Sequence, residues 1–525
     1  MKRRDFLKLT PAAGMAFMIN GLPINTFAVN PVLSLLAKQT QANGRALVLI
    51  QLNGGNDGLN MVIPIDQYAT LSGARGNILI PQNNVLSLAN TVATGLHPSM
   101  TRVQEMFGDG LVNIIQGVSY PDPNFSHFRA TDIWLTGSDS QQYINTGWLG
   151  RYLEKEYSGY PAGYPNTNMP DPLAIQVGSA VSLGLQGPNI NMGMAISDIN
   201  NFYNIVNNTV DPAPNTPAGH ELTFIRFIAQ QTQQYTSVIQ AAAGKAQNQS
   251  TLYPPGNSLS DQLKIVARLI AGGLKTPIYV VNLGGFDTHS VQVDPNDKTK
   301  GVHATLMQRI SEAVYAFFND CKLLQVDDRV AAMTFSEFGR RVKSNASGGT
   351  DHGTAAPVMV FSPNVNPGII GTNPNIPMNA SSSFNLPMQH DFRSVYAAVL
   401  ADWFQVPKQL MDDVLMMSYP ILPIFKGGVA VDPGEDLYGH DEILKQNYPN
   451  PFSRSTTISF ATQGGATTLQ LFNVSGQLVR TIFSKEMDRG THEVTIDRGS
   501  LPSGNYFYRL TSGRDQFTKQ LVVTD

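Results

Sequence analysis

The sequence predicts an α/β protein: a mostly parallel sheet flanked by helices, followed by a small all-β sandwich. Three observations carry this. Continuous apolar runs of strand length recur between residues 46 and 361, and most break into a Gly-rich or polar loop followed by a helix-like stretch. That rhythm belongs to a parallel sheet with right-handed crossovers. Beyond residue 444 the pattern changes to short strands separated by turn residues at regular spacing, as in a sandwich. The chain has 525 residues, too many for one core.

Composition narrows the function. Thirty-six Lys and Arg stand against 39 Asp and Glu, which leaves no electrostatic footprint for nucleic acid. Only 14% of residues are charged, while Gly (46) and Pro (33) are plentiful, as in a loop-rich exported protein. Cys321 is the sole cysteine, so no intrachain disulfide forms, and it reads as a small buried apolar residue.

Residues 1–28 read as a signal peptide. Arg3 and Arg4 precede Phe6, Leu7 and Lys8, a moderately apolar run covers residues 11–19, and small residues flank position 27. The segment resembles a twin-arginine signal, with a plain Sec signal as the alternative. The run is too short to span a bilayer, and no later stretch reaches that length, so no transmembrane anchor is expected in the mature protein.

Residues 46–52, ALVLIQL, form the first strand, and NGGNDGLN follows at once. Its glycines allow a tight turn near a ligand, which makes Asp57 a candidate metal ligand or, equally, a turn aspartate. Residues 111–118 are a second strand, leading through a polar loop to a helix over 130–135. Ser126 falls near that helix's N-terminus, where free N–H groups and the dipole favour anions. It is a candidate nucleophile or a helix cap. His127 and Arg129 would contact substrate or pair locally. Residues 157–171 form a loop, 173–177 a strand, and 221–243 and 258–272 two helices, none with evident chemistry.

Residues 276–283 are another buried strand, ending in GGFDTHS, where Asp287 and His289 can turn to one metal. A helix follows over 303–324, with His303 at its start as a solvated residue. Residues 330–335 are again a strand. Its loop carries Glu337, a ligand or base unless it pairs with Arg340 or Arg341 at i+3 or i+4. The Gly-rich turn 347–349 then delivers Asp351 and His352 before a strand at 358–361. His390 sits near the boundary of a helix over 395–404, with Asp391 as that helix's cap. Ligands gather where parallel strands end, so the four loops bearing Asp57, Ser126, Asp287 with His289, and Asp351 with His352 are expected at one edge. Carboxylate oxygen with imidazole nitrogen suits a divalent metal, zinc first, with calcium, magnesium or manganese as alternatives.

The pieces LNGGNDGLNMVIP, GLHPSM, QGVSYPDPNFSHFRATDIW, GGFDTHS, FSEFGRRVKSNASGGTDHG and HDFRSVYAAVLADWF make residues 45–425 resemble the bacterial domain-of-unknown-function family 1501. Its members look like distant relatives of the alkaline phosphatase and sulfatase superfamily. The resemblance implies one or two metals held by Asp57, Asp287, His289, Asp351, His352 and His390, with Ser126 as nucleophile. Asn56, His127, Arg129 and Glu337 would contact the substrate. Only one residue separates Asp287 from His289, where the better-known enzymes have three.

Residues 429–444 read as a linker between a core at 29–428 and a sandwich at 445–525. The pieces QNYPNPF, LFNVSGQLVRTI, LPSGNYFYRL and KQLVVTD resemble the type A sorting domain of the type IX secretion system. A carbohydrate-binding module is the alternative. Together the expectations describe a secreted metal-dependent hydrolase of phosphate or sulfate esters, on a small-molecule or glycan substrate, using the twin-arginine and type IX machineries. The alternative is a catalytically inactive surface binding protein on the same fold.

Overall fold

A computed structural model describes residues 44–197, 235–427 and 444–524, apart from the turns at 463–464, 474–476, 489 and 513–514. It also describes two short paired strands, Phe17–Ile19 and Leu22–Ile24. The expected paired arginines, most of the linker and the first part of the helix expected at 221–243 lie outside the described residues. Residues 235–245 are helical. Two compact units divide the chain: residues 1–415 with 424–428, and 416–423 with 429–525. Among the described residues no helix is long and apolar enough to cross a membrane.

The first unit is built on β1 (Ala46–Asn53), β2 (Val112–Ser119), β3 (Ala174–Val177), β4 (Met194–Ile196), β5 (Ile278–Gly284) and β6 (Val330–Phe335). A hairpin, β7 (Arg340–Ser344) with β8 (Thr350–His352), leads into β9 (Ala356–Phe361), followed by β10 (Gly368–Ile370) and β11 (His390–Asp391). The nine-stranded sheet runs β10-β2-β9-β6-β1-β5-β3-β4, with β11 also on β2. All pairings are parallel except those of β9, which runs against both β6 and β2. The central strands carry apolar side chains on both faces because both faces are covered. All six residues of β6 are buried. Helices α2 (Ser258–Ala271) and α3 (Val302–Leu323) share one core with β1 and β5, through Leu263, Val266, Ile310, Val314 and Phe317. Cys321 is buried there.

Strand direction positions the site. β1, β2, β5 and β6 are mutually parallel, so their carboxyl ends share one rim. Because β9 is reversed, it starts at that rim, and the hairpin β7–β8 stays there too. Helix α1 (His127–Thr136) follows β2 at the same rim. His303, expected to be solvated, is buried at 1% exposure on α3. It heads the stripe continued by Leu306, Met307 and Ile310, which faces the core. Asp391 caps helix α4 (Phe392–Ala398), its Oδ1 accepting the Arg393 N–H at 2.9 Å.

In the second unit, β12 (Ser455–Thr462) pairs with β15 (Gly490–Asp497). β13 (Gly465–Asn473), β14 (Leu478–Met487), β16 (Gly504–Ser512) and β17 (Asp515–Val523) form an antiparallel sheet in the order β14-β13-β16-β17. Ile458, Phe460 and Ile496 of the pair share a core with Leu469, Leu471, Tyr508, Leu510 and Leu521 of the sheet. Leu444 is buried in this core as well.

Candidate metal centre

Asn53 and Gly284, the last residues of β1 and β5, lie directly opposite each other. The loops that follow therefore leave the rim side by side. A Cβ on Gly54 (φ +123°) would lie 2.3 Å from the Asp287 backbone nitrogen, and one on Gly55 (φ +77°) would enter the Phe338 ring. Only glycine allows this approach. Arg340, on β7 and opposite His352 of β8, closes the gap. Its Nε donates to the Gly55 carbonyl at 2.6 Å, Nη1 to Thr350 O at 2.8 Å, and Nη2 to Gly54 O, to Phe286 O at 3.1 Å and to Asp287 Oδ1 at 2.7 Å. The guanidinium is fully buried.

Two imidazoles converge on the same Asp287 oxygen. His127, the first residue of α1, has Nδ1 2.9 Å from Glu337 Oε1 and Nε2 3.5 Å from Asp287 Oδ1. His352 has Nδ1 2.7 Å from the Phe125 carbonyl and Nε2 3.6 Å from Asp287 Oδ1. A carbonyl only accepts, so the His352 proton sits on Nδ1 and its Nε2 lone pair is free. The Glu337 carboxylate fixes His127 in the same way. His352 Nε2 is buried without a hydrogen-bond partner. Among the described residues, His127, Asp287 and His352 are the one group of three whose ligand atoms all lie within 4.8 Å. Bonds of about 2.1 Å in a tetrahedral site put ligand atoms about 3.4 Å apart. The two edges measured to Asp287 fit that spacing. Phe338 walls the site, its ring centroid 5.0 Å from that of His127 and 4.4 Å from that of His352.

The electrostatics agree. Burial pushes the Asp287 carboxyl up, but the hydrogen bond and charge of Arg340, with His289 and His127, outweigh it and bring it to about 2. Burial holds the His352 imidazole below its ordinary value, despite the Phe125 carbonyl. Asp287 is therefore an anion, and His352 is neutral at pH 7.

The other expected site residues distribute as follows. His289 flanks the group, its Nδ1 2.7 Å from Asp287 Oδ1 and 3.4 Å from Arg340 Nη1. Ser126 stands exposed at the N-cap of α1, between Phe125 and His127, and its hydroxyl makes no capping bond. Asp57 is not brought to the group. It is fully buried, with both carboxylate oxygens 2.8 Å from Arg75 Nη1 and Oδ2 2.6 Å from Gln292 Nε2. Asn56 is buried beside it, bonded to Ser336 Oγ, Met61 Sδ and His303, which keeps it from a substrate. Asp351 precedes His352 on β8, and adjacent strand residues point to opposite sides. Its Oδ1 accepts from Asn345 Nδ2 at 3.1 Å, and its Oδ2 lies 3.8 Å from Arg341. His390 pairs with Val118 at the far side of β2, with its Nε2 beside Gly371. Arg129 is buried, clamping the carbonyls of Asp139, Ser140 and Gln142 under Tyr143. Glu337 does not pair with Arg340 or Arg341. Arg340 is spent on carbonyls and Asp287, and Glu337 Oε1 takes the Gly54 N–H at 2.8 Å as well as His127. Sequence reasoning missed Arg340, whose partners come from three separate loops.

The model of the family described as protein of unknown function, DUF1501, matches residues 116–415, more than half of the chain. The chain belongs to this family. The model of the secretion system C-terminal sorting domain matches residues 446–524 of this DUF1501 protein. It is therefore secreted or displayed at the cell surface, with the secretion machinery as a partner. No curated protein matches the sequence. Three solved structures align along most of their length. A protein from a glycosaminoglycan-metabolism locus of Bacteroides thetaiotaomicron is 12% identical, with 83% of this chain and 88% of that one covered and a TM-score of 0.32. A sulfatase from Pseudoalteromonas sp. is 10% identical, covering 89% and 88%, TM-score 0.34. A phosphonate monoester hydrolase from Silicibacter pomeroyi is 9% identical, covering 91% and 89%, TM-score 0.28. These likenesses are too distant to carry residues or activity across.

Proposed function

We propose that this DUF1501 protein is a secreted metal-dependent hydrolase of phosphate or sulfate esters, borne by a small molecule or a glycan. The observation that carries the reading is the convergence of two Nε2 atoms on the anionic Asp287, with each ring's Nδ1 already engaged. His127, Asp287 and His352 would hold a divalent ion. Two nitrogens and one oxygen favour zinc over calcium, magnesium or manganese. Such an ion would polarise an ester oxygen and make a nearby hydroxyl or water more acidic. Ser126 would be the nucleophile. Its hydroxyl is free of capping, and the first-turn N–H groups of α1 favour the anionic group of the ester. Its Oγ, losing its proton to solvent, would bond to phosphorus or sulfur as the alcohol leaves, and water would then free the serine. Arg3 and Arg4 support twin-arginine export before the sorting domain directs passage across the outer membrane.

The test is hydrolysis of 4-nitrophenyl phosphate and sulfate by the full secreted chain, with metal content measured on the same samples. Ser126→Ala should lose about a thousandfold in kcat, and His352→Ala should lose both metal and turnover. A wild type that carries no metal and turns over neither ester would remove the reading. The second reading, a surface binding protein without turnover, is favoured by one observation. Asp287 Oδ1 already meets Arg340 and His289 at 2.7 Å each, so an ion must share it. That reading expects metal and ligand binding unchanged by Ser126→Ala, with no ester cleaved.

A further inference from the structure

Metal centres that cleave phosphate esters hold one ion or two, and paired ions sit about 3.5–4 Å apart, bridged by shared ligands. Asp287 Oδ1 lies 3.5 Å from His127 Nε2 and 3.6 Å from His352 Nε2. The same oxygen is met at 2.7 Å by Arg340 Nη2 and at 2.7 Å by His289 Nδ1. A guanidinium has five N–H donors. In Arg340, Nε meets the Gly55 carbonyl, Nη1 the Thr350 carbonyl, and the two N–H groups of Nη2 are shared among the carbonyls of Gly54 and Phe286 and Asp287 Oδ1, while Nη1 also lies 3.4 Å from His289 Nδ1. The carbonyls come from the loop after β1, the loop after β5 and the hairpin β7–β8. Moving the guanidinium would take its donor from the buried carbonyls of Gly55 and Thr350 and the half-buried one of Gly54, a costly loss, while Phe286 O keeps the Thr288 N–H at 2.8 Å. The carboxylates that would serve a second ion are also committed, Asp57 to Arg75 and Gln292, and Asp351 to Asn345.

We infer that the centre takes a single divalent ion, and that Arg340 is its positioning residue, a fixed cation standing where a second ion would lie. Resting on the metal reading above, this assigns Arg340 two tasks. It holds Asp287 Oδ1 at the meeting point of the two Nε2 atoms. It also shares that carboxylate's charge, so the ion is left with two neutral imidazoles and a partly neutralised oxygen, and keeps more of its own positive charge for an anionic ester.

The full-length chain is stripped of metal, titrated with Co²⁺ alone, and followed by its visible absorption and by ions bound per chain after desalting. The wild type should bind one ion. Arg340→Met should bind Co²⁺ ten- to a hundredfold more weakly, the usual scale for losing a group that orients a ligand, and with an altered spectrum. Arg340→Lys keeps the charge but loses the planar fork, so it should recover part of the affinity. If the methionine variant does not fold, judged by circular dichroism, the lysine variant alone decides: affinity and spectrum equal to wild type refute the positioning role. Two ions per wild-type chain would overturn the single-ion inference and leave the hydrolase reading standing. A wild type that binds no Co²⁺ ends the metal reading, and this inference with it.

Discussion

Asp57→Asn separates a structural carboxylate from a metal ligand. Asp57 and Arg75 are both fully buried, and Arg75 also donates to the carbonyls of Val342 at 2.7 Å and Arg341 at 2.6 Å. Those bonds keep the guanidinium in place when its anion is gone. Burial pushes the Asp57 carboxyl up, but Arg75, His303 and Gln292 outweigh it, so the native group is an anion. Asparagine has the same shape and can still accept from Gln292, so the change removes little but the charge. An unpaired buried cation costs about 3–5 kcal/mol. At about 2 °C per kcal/mol for a large domain, the melting temperature of the first unit should fall by roughly 6–10 °C. Scanning calorimetry on the full chain measures this, and Co²⁺ titration of the same sample should still give one ion per chain. Unchanged melting together with lost metal would refute the reasoning and return Asp57 to the ligand set.

Three further outcomes follow from the geometry. Glu337→Gln keeps an oxygen for His127 but loses the charge that polarises the ring, so Co²⁺ affinity should fall about tenfold; an unchanged titration would mean that Glu337 only packs. Gly54→Ala puts a methyl group 2.3 Å from the Asp287 nitrogen and forces φ +123° on alanine. It should cost at least about 2 kcal/mol in urea unfolding and weaken Co²⁺ binding; wild-type values for both would show that the loops can part. Burial brings His303 down to about 4 and His97 to about 3, from an ordinary 6.5. Above pH 6.5 both are neutral folded or unfolded and contribute nothing. As pH falls from 6.5 the unfolded chain takes up protons that the folded chain refuses, so stability drops by about 1.4 kcal/mol per unit for each group, or about 3 kcal/mol from His303 by pH 4. Urea midpoints measured between pH 7 and 4 should show this slope, and His303→Gln should flatten it; an identical slope in the variant would exclude His303 as a source.

The strands are legible because β1, β5 and β6 are apolar on both faces, and their common direction predicts that the loops bearing Asp287 and His352 share one rim. Three differences between the expectation and the structure have distinct physical causes. Asp57 follows a turn that leads back into the core, and nothing in NGGNDG says on which side of the rim the chain re-enters. The Gly-rich turn before Asp351 and His352 suggests a single loop pair, whereas they are neighbours on a short strand, whose alternation sends them apart. His303 carries a readable signal, the i, i+3, i+4, i+7 stripe with Leu306, Met307 and Ile310, which outweighs its place at the start of the helix. Arg340 had no local signature at all. Its role exists only once loops from positions near 54, 286 and 350 meet, and no window of the sequence contains them together.

The reversed direction of β9 has a consequence for how such proteins diversify. A strand that begins at the working edge needs no helix to bring the chain back, so the hairpin before it is tethered at both ends to the sheet. Its tip is tied to the loop after β5, where Ser347 O and Gly348 O accept the Val291 and Gln292 N–H groups at 3.0 and 2.9 Å and Asn345 Nδ2 donates to His289 O at 2.8 Å. Residues added or removed at its tip, near 345–348, would shift the loop carrying His289 together with the approach to the pocket, while the strands beneath stay put. That makes the tip a place where new selectivity can be grafted without rebuilding the sheet.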